Sequence, residues 1–149
     1  MPMSSAGAMP TNAERWAVDT SVAVASLDGS HAAHAVCRDV VRSRRPALAG
    51  HAAFETFSVL TRLPGQLSID APTSQSVIGA VFPSVCWLGH DDATRLLRRL
   101  GTVGIVGGAV YDALVGEAAR TNDYRLLTRD LRARRTYDLL GVDYELIGV

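Results

Sequence analysis

Two stretches of this chain repeat one pattern. In Trp16-Ala17-Val18-Asp19-Thr20-Ser21, and again in Tyr124-Arg125-Leu126-Leu127-Thr128-Arg129-Asp130, a short apolar run is cut off by an acid with hydroxyl residues beside it. Runs of that length and composition suit buried strands, not helices. An acid at the exit of a buried parallel strand opens into the crevice where α/β sheets bind ligands. A lone Asp19 would be explained well enough as a helix cap, with Thr20 or Ser21 as alternative caps. Its recurrence as Asp130 shifts the balance toward a site.

The length of 149 residues fits one domain with a real core. An apolar fraction of 48% against 20% charged excludes a disordered chain, and no apolar run is long enough to span a bilayer. Residues 1–14 lack both a basic start and an apolar core, so they read as a flexible tail and not a signal peptide, with Met9 as an alternative start. Residues 15–149 form the expected domain. Cys37 and Cys86 fit no CxxC pattern and are expected as packed thiols in a reducing, cytoplasmic setting.

Net charge is zero, so no global field draws the protein to nucleic acid. All 15 basic residues are arginine. Coding bias is sufficient cause, yet the consequence is chemical: a P-loop lysine and a lysine base are both excluded. The clusters Arg42-Arg44-Arg45 and Arg95-Arg98-Arg99 read as solvated helix faces. Arg129, Arg132, Arg134 and Arg135 stand next to Asp130 and are candidates for holding an RNA backbone.

Between the two acid-ended strands the chain alternates helices and short strands, which predicts an α/β fold. Val22–Leu27 reads as a helix, and Ser30 as the cap of a second one running from His31 to about Ser43, with Ala33, Val36, Cys37, Val40 and Val41 buried. His31 and His34 read as ordinary surface histidines. Pro46–Ala49 is a strand, followed by a helix His51–Arg62 closed by Pro64-Gly65. This helix carries Glu55 within an apolar surface of Phe54, Phe57, Val59, Leu60 and Leu63. Leu67–Asp70 reads as extended, Thr73–Phe82 as helix and Val85–Leu88 as strand. Asp91-Asp92 are expected as cap and first-turn charge of the next helix. The glycines of Gly101–Gly108 miss the GxGxxG template, so a packing turn or loop is expected. Asp112 lies in the first turns of a small-residue helix. Glu117, about 140° further round, faces elsewhere. Tyr144–Ile147 is the last strand.

Asp19, Glu55, Asp112 and Asp130 thus share one logic, each just past a strand end or early in a helix. Converging carboxylates need a counter-charge, and all-oxygen ligation points to a hard cation, Mg²⁺ or Mn²⁺. Such an ion suits phosphodiester hydrolysis.

The order and spacing of VDTSV, the helix acid Glu55, YDALVGEAA and LLTRDLR resemble PIN-domain ribonucleases, most closely the VapC-type toxins of toxin–antitoxin pairs. The resemblance runs from about Trp16 to Val149. It implies a three-layer α/β/α sandwich around a small, mainly parallel sheet. It also implies that Asp19, Glu55, Asp112 and Asp130 bind Mg²⁺ or Mn²⁺ and cleave single-stranded RNA or tRNA loops, restraining translation and growth. Thr20, Ser21 and Thr128 would hold carboxylates or waters. A cognate antitoxin is implied, as are a homodimer and a heterotetramer or larger complex. The tail is longer than usual, and Gly116 stands where the family often has alanine. Two rivals are a catalytically silent RNA- or partner-binding module and a different Mg²⁺-dependent nuclease.

Overall fold

A computed structural model describes residues 15–64 and 69–149. The expected tail, Gly65 of the helix stop and the Leu67-Ser68 part of the extended piece lie outside the described residues. The elements run β1 (Trp16–Val18), α1 (Thr20–Leu27), α2 (His34–Arg44), β2 (Ala47–Ala49), α3 (Ala52–Thr61) and α4 (Ala71–Val81). They continue β3 (Val85–Cys86), α5 (His90–Val103), α6 (Ala109–Thr121), β4 (Arg125–Thr128), α7 (Arg134–Leu140) and β5 (Tyr144–Leu146). A short 3-10 turn, Leu131–Ala133, links β4 to α7.

All strand pairs are parallel, in the order β3-β2-β1-β4-β5. Burial on both faces explains why the central strands are apolar runs with no polar alternation. Successive residues still divide between the faces. Ala17, Ala47, Ala49 and Leu126 pack in a core with α5, α6 and α7 residues. Val18, Leu48 and Leu127 pack with α1, α2 and Ile78 of α4. Helices cover both faces, giving the expected α/β/α sandwich. Cys37 and Cys86 are buried free thiols, as their sequence context predicts, and burial pushes Cys86 up to about 11. Among the described residues no helix is long and apolar enough to cross a membrane.

Several local expectations fail for identifiable reasons. Ser30 does not cap α2: its hydroxyl and N–H both donate to Asp28 at 2.6 and 3.0 Å, which closes a turn and delays the helix to His34. Neither Thr20 nor Ser21 caps α1, because Asp19 does. Gly89, not Asp91 or Asp92, caps α5, and the two acids take its first turn. Val36, Phe54 and Phe57 are exposed; α3 instead buries Ala52, Thr56 and Leu60, the i, i+4, i+8 row. The Gly101–Gly108 span is a helix stop and turn, with Gly104 left-handed at φ 79° and Ile105 buried.

The strand order reverses between β1 and β4. Chains leaving these two neighbours depart in different directions and leave a crevice at their carboxyl ends. Gly50, at φ 49°, turns the chain out of β2 toward α3, and an added Cβ there would meet Ala118 Cβ at 2.9 Å. That close approach seats the first turn of α3 at the same edge of the sheet.

Candidate active site

Asp19 ends β1 and Asp130 follows β4, so the two acids flank the switch point. Asp19 is 4% exposed. Its Oδ1 accepts from Ser21 Oγ at 2.5 Å and from the Val22 N–H at 3.3 Å. Its Oδ2 accepts from Thr128 Oγ1 and from Tyr137 Oη at 3.1 Å. Burial raises the Asp19 carboxyl above its ordinary range, and the hydrogen bonds from Ser21, Thr128, Val22 and Tyr137 oppose that rise. Asp19 therefore caps α1 and anchors the site as well.

The two hydroxyls act as relays. Ser21 Oγ receives the Arg129 N–H at 2.8 Å, and Thr128 Oγ1 receives the Asp130 N–H at 3.0 Å, while each donates its own proton to Asp19. The exit of β4 is thus tied to the exit of β1 through one carboxylate. Thr20 instead donates to Glu55 Oε1 at 3.2 Å, bringing α3 to the same edge. Asp130 caps the 3-10 turn by accepting the Arg132 N–H at 2.9 Å.

Asp112, in the first turn of α6, is half-buried and makes no side-chain hydrogen bond or ion pair among the described residues. Its carboxyl is pushed up to about 6, by burial first and then by the charges of Asp130, Glu55 and Asp19. That coupling places Asp112 within electrostatic reach of each of the other three acids. None of the four has an ion-pair partner among the described residues. Thr20, Ser21, Asp112, Arg129, Asp130 and Arg132 line a cleft of about 740 Å³. Asp19 and Glu55 stand behind this lining, joined to it by the hydrogen bonds from Ser21 and Thr20. Of the four carboxylates Asp112 and Asp130 line the cleft itself, and among the described residues no three acid, His or Cys side chains form a tight ligand group.

The arginine cluster divides. Arg129 and Arg132 face the cleft, whereas Arg134 and Arg135 line a separate depression with Asp138 and Leu139. Arg129 donates to the Gly148 carbonyl at 3.0 Å, and its buried Nε has no hydrogen-bond partner. Glu117 does face elsewhere, held by Arg120 at 2.8 Å and Arg99 at 3.5 Å. Sequence reasoning missed Tyr137. It is buried against the inner face of α6, where Gly116 makes room for it: an added Cβ would meet Tyr137 Cδ1 at 2.9 Å. Burial, then the Asp19 charge, holds its phenol well above the ordinary value, so it remains a proton donor to Asp19.

The sequence matches a known family. Residues 17–139 match the PIN domain. The chain is 44% identical over 126 residues to Ribonuclease VapC27 of Mycobacterium tuberculosis (strain ATCC 25618 / H37Rv), covering 85% of this chain and 92% of that protein. It is 42% identical over 133 residues to Ribonuclease VapC40 of Mycobacterium tuberculosis (strain CDC 1551 / Oshkosh), covering 88% and 98%. The chain belongs to the PIN-domain family, VapC type. The five-stranded parallel sheet and its two helical layers are those of a PIN domain. At Gly116 of this PIN domain the Tyr137 ring occupies the space an alanine methyl would take.

Proposed function

We propose that this VapC-type PIN domain is a divalent-metal-dependent endoribonuclease, the toxin of a type II toxin–antitoxin pair. The observation that carries the reading is the gathering of four carboxylates from four elements at the sheet's switch point, with Asp112 pushed up to about 6 by burial first and then by the charges of the other three. The donor chemistry fits a hard cation: every candidate ligand is a carboxylate oxygen, and no side-chain cation pairs with any of them among the described residues. Asp19, Glu55, Asp112 and Asp130 would hold Mg²⁺ or Mn²⁺. When bound, the ion supplies positive charge that offsets the acids, acidifies water and stabilises charge on a phosphoryl oxygen.

The chain's own residues supply the rest. Asp19, fixed by four donors, cannot swing away, so it serves as the rigid reference for the site. Thr20 orients Glu55, and the Ser21 and Thr128 relays hold the Asp130 loop against β1. Arg129 and Arg132 stand at the cleft where guanidinium forks can grip phosphate oxygens on either side of the scissile bond. Both relatives reported above carry the name ribonuclease, which supports RNA as substrate. A cognate antitoxin covering the cleft, and a homodimeric toxin within a heterotetramer or larger complex, complete the proposal.

The test is cleavage of a labelled single-stranded RNA by the purified chain with Mg²⁺, with Mn²⁺ and with EDTA. Cleavage in either metal, lost in chelator and in Asp130→Asn, is the expected result. Undiminished cleavage in chelator would overturn the metal mechanism. Growth arrest on expression, relieved by a small protein encoded beside it, tests the toxin role.

A further inference from the structure

Four aromatic side chains gather on the β2–β3 side of the same sheet edge. His51 leads into α3, Phe54 lies in its first turn beside Glu55, Trp87 follows β3, and Tyr111 precedes Asp112 in α6. The rings form a connected row. His51 stacks on Tyr111 with centroids 5.5 Å apart and planes at 21°. Phe54 tilts against Trp87 at 5.6 Å, and His51 and Phe54 are 6.3 Å apart. Yet Phe54, Trp87 and Tyr111 are 61%, 52% and 54% exposed. A contiguous set of large rings left in water marks a contact surface, not a packing accident. The backbone beneath is fixed, since Asn122 Nδ2 donates to the Trp87 carbonyl at 2.9 Å.

On the opposite side of the carboxylates stand Arg129 and Arg132, beyond the exit of β4. From β4 to β3 is three strand intervals, about 14 Å. Cations, acids and rings therefore follow one another along a single edge over the length of a few nucleotides. Phosphates suit the first part of that track and bases suit the last. Every base has a π-face, and stacking on aromatic rings tolerates any sequence. Bases in a duplex are already stacked on one another and turn no face outward.

We infer that His51, Phe54, Trp87 and Tyr111 form a stacking platform for unpaired bases on one side of the scissile phosphate. The identity of the ligand as RNA rests on the nuclease reading above. A second copy of the chain is the competing occupant of an aromatic patch. The position of the rings argues against it. Phe54 and Tyr111 are the chain neighbours of Glu55 and Asp112, so a second copy of the chain sealed over them would obstruct the carboxylates in the active toxin itself, where substrate must reach them.

The full chain has two tryptophans, so Trp16→Phe leaves Trp87 as the sole indole reporter. That variant is titrated in EDTA, where no cleavage occurs, with a short oligoadenylate single strand and with an RNA duplex of equal length. Saturable quenching of Trp87 by the single strand, with duplex binding at least about tenfold weaker, is expected. In fluorescence anisotropy, Phe54→Ala and Trp87→Ala should each weaken single-strand binding about tenfold, and should raise KM for cleavage more than they lower kcat. Both side chains are largely exposed, so their truncation leaves no core cavity. Unchanged single-strand affinity in both variants overturns the platform while leaving the nuclease standing. Equal affinity for single strand and duplex overturns it too. So does conversion of a dimer to a monomer by these variants in sedimentation velocity, which would make the rings an interface between copies. If the parent chain never cleaves RNA but the ring variants still lose single-strand binding, the platform stands and the nuclease reading falls.

Discussion

Asp112→Asn removes a charge that the folded protein resists, and should therefore stabilise it while abolishing turnover. The Asp112 carboxyl stands at about 6 against an ordinary 3.8, through burial and the charges of Asp130, Glu55 and Asp19. Between those two values the folded chain binds the proton more tightly than the unfolded chain does. Stability therefore falls as pH rises from about 4 to about 7, and stays at its lowered level above that. Taken whole, the displacement amounts to about 3 kcal/mol. Asp112 is only half-buried, and solvent screening reduces the figure to about 1 kcal/mol. Asn is nearly isosteric, has a similar helix propensity, and breaks no hydrogen bond that Asp112 makes among the described residues. For a domain of this size the gain corresponds to about 2–4 °C in Tm. Calorimetry of parent and variant in chelator, at pH 7.5 and near pH 4, reads the effect. The variant should melt higher at pH 7.5, with the difference largely gone near pH 4. A lower Tm at pH 7.5, or an equal shift at both pH values, would refute the claim that the acids repel one another across one site.

Thr128→Val keeps the shape but removes the donor to Asp19 and the acceptor of the Asp130 N–H; urea unfolding should show a loss of about 2–3 kcal/mol. Gly116→Ala should gain about 1 kcal/mol from helix propensity alone. The added methyl would meet Tyr137 Cδ1 at 2.9 Å and Val142 Cγ2 at 3.0 Å, so a net loss of about 1–2 kcal/mol is expected by the same assay. Salt-titrated RNA binding should separate the arginines: Arg129→Ala or Arg132→Ala flattens the salt dependence by about one ion, whereas Arg134→Ala and Arg135→Ala leave it unchanged.

The parts of the fold legible in the chain are those that depend on neighbours in sequence. The ends of β1 and β4 show because each apolar run gives way to hydroxyl and charged residues, with Asp19 directly after β1 and Asp130 two residues after β4. Glu55 and Asp112 show for a related reason, as acids in the first turns of otherwise apolar helices. What binds these pieces into a site is not local. Thr128 reaches Asp19 across 109 positions and Tyr137 across 118, contacts that no periodicity encodes. Ser21 reads as a cap because hydroxyls near helix starts usually are, but here the acid before it takes that role and turns the hydroxyl toward Arg129. The sequence shows Phe54 as part of an apolar helix surface but not which way that surface turns; α3 packs its Ala52–Thr56–Leu60 row inward and leaves the ring outside. The arginine run is continuous in sequence, yet the 3-10 turn at Leu131–Ala133 sends its two halves to different surfaces.

The central claim is that four carboxylates act as one cation site, and calorimetric titration of Mn²⁺ into the intact protein tests it most directly. Binding should be clear at pH 7.5, weaken as pH falls below about 6 where Asp112 takes up its proton, and drop sharply in Asp19→Asn and Asp130→Asn variants that remain folded. Mn²⁺ binding of equal strength in parent and both variants, or none in the parent chain at millimolar metal, would contradict the account.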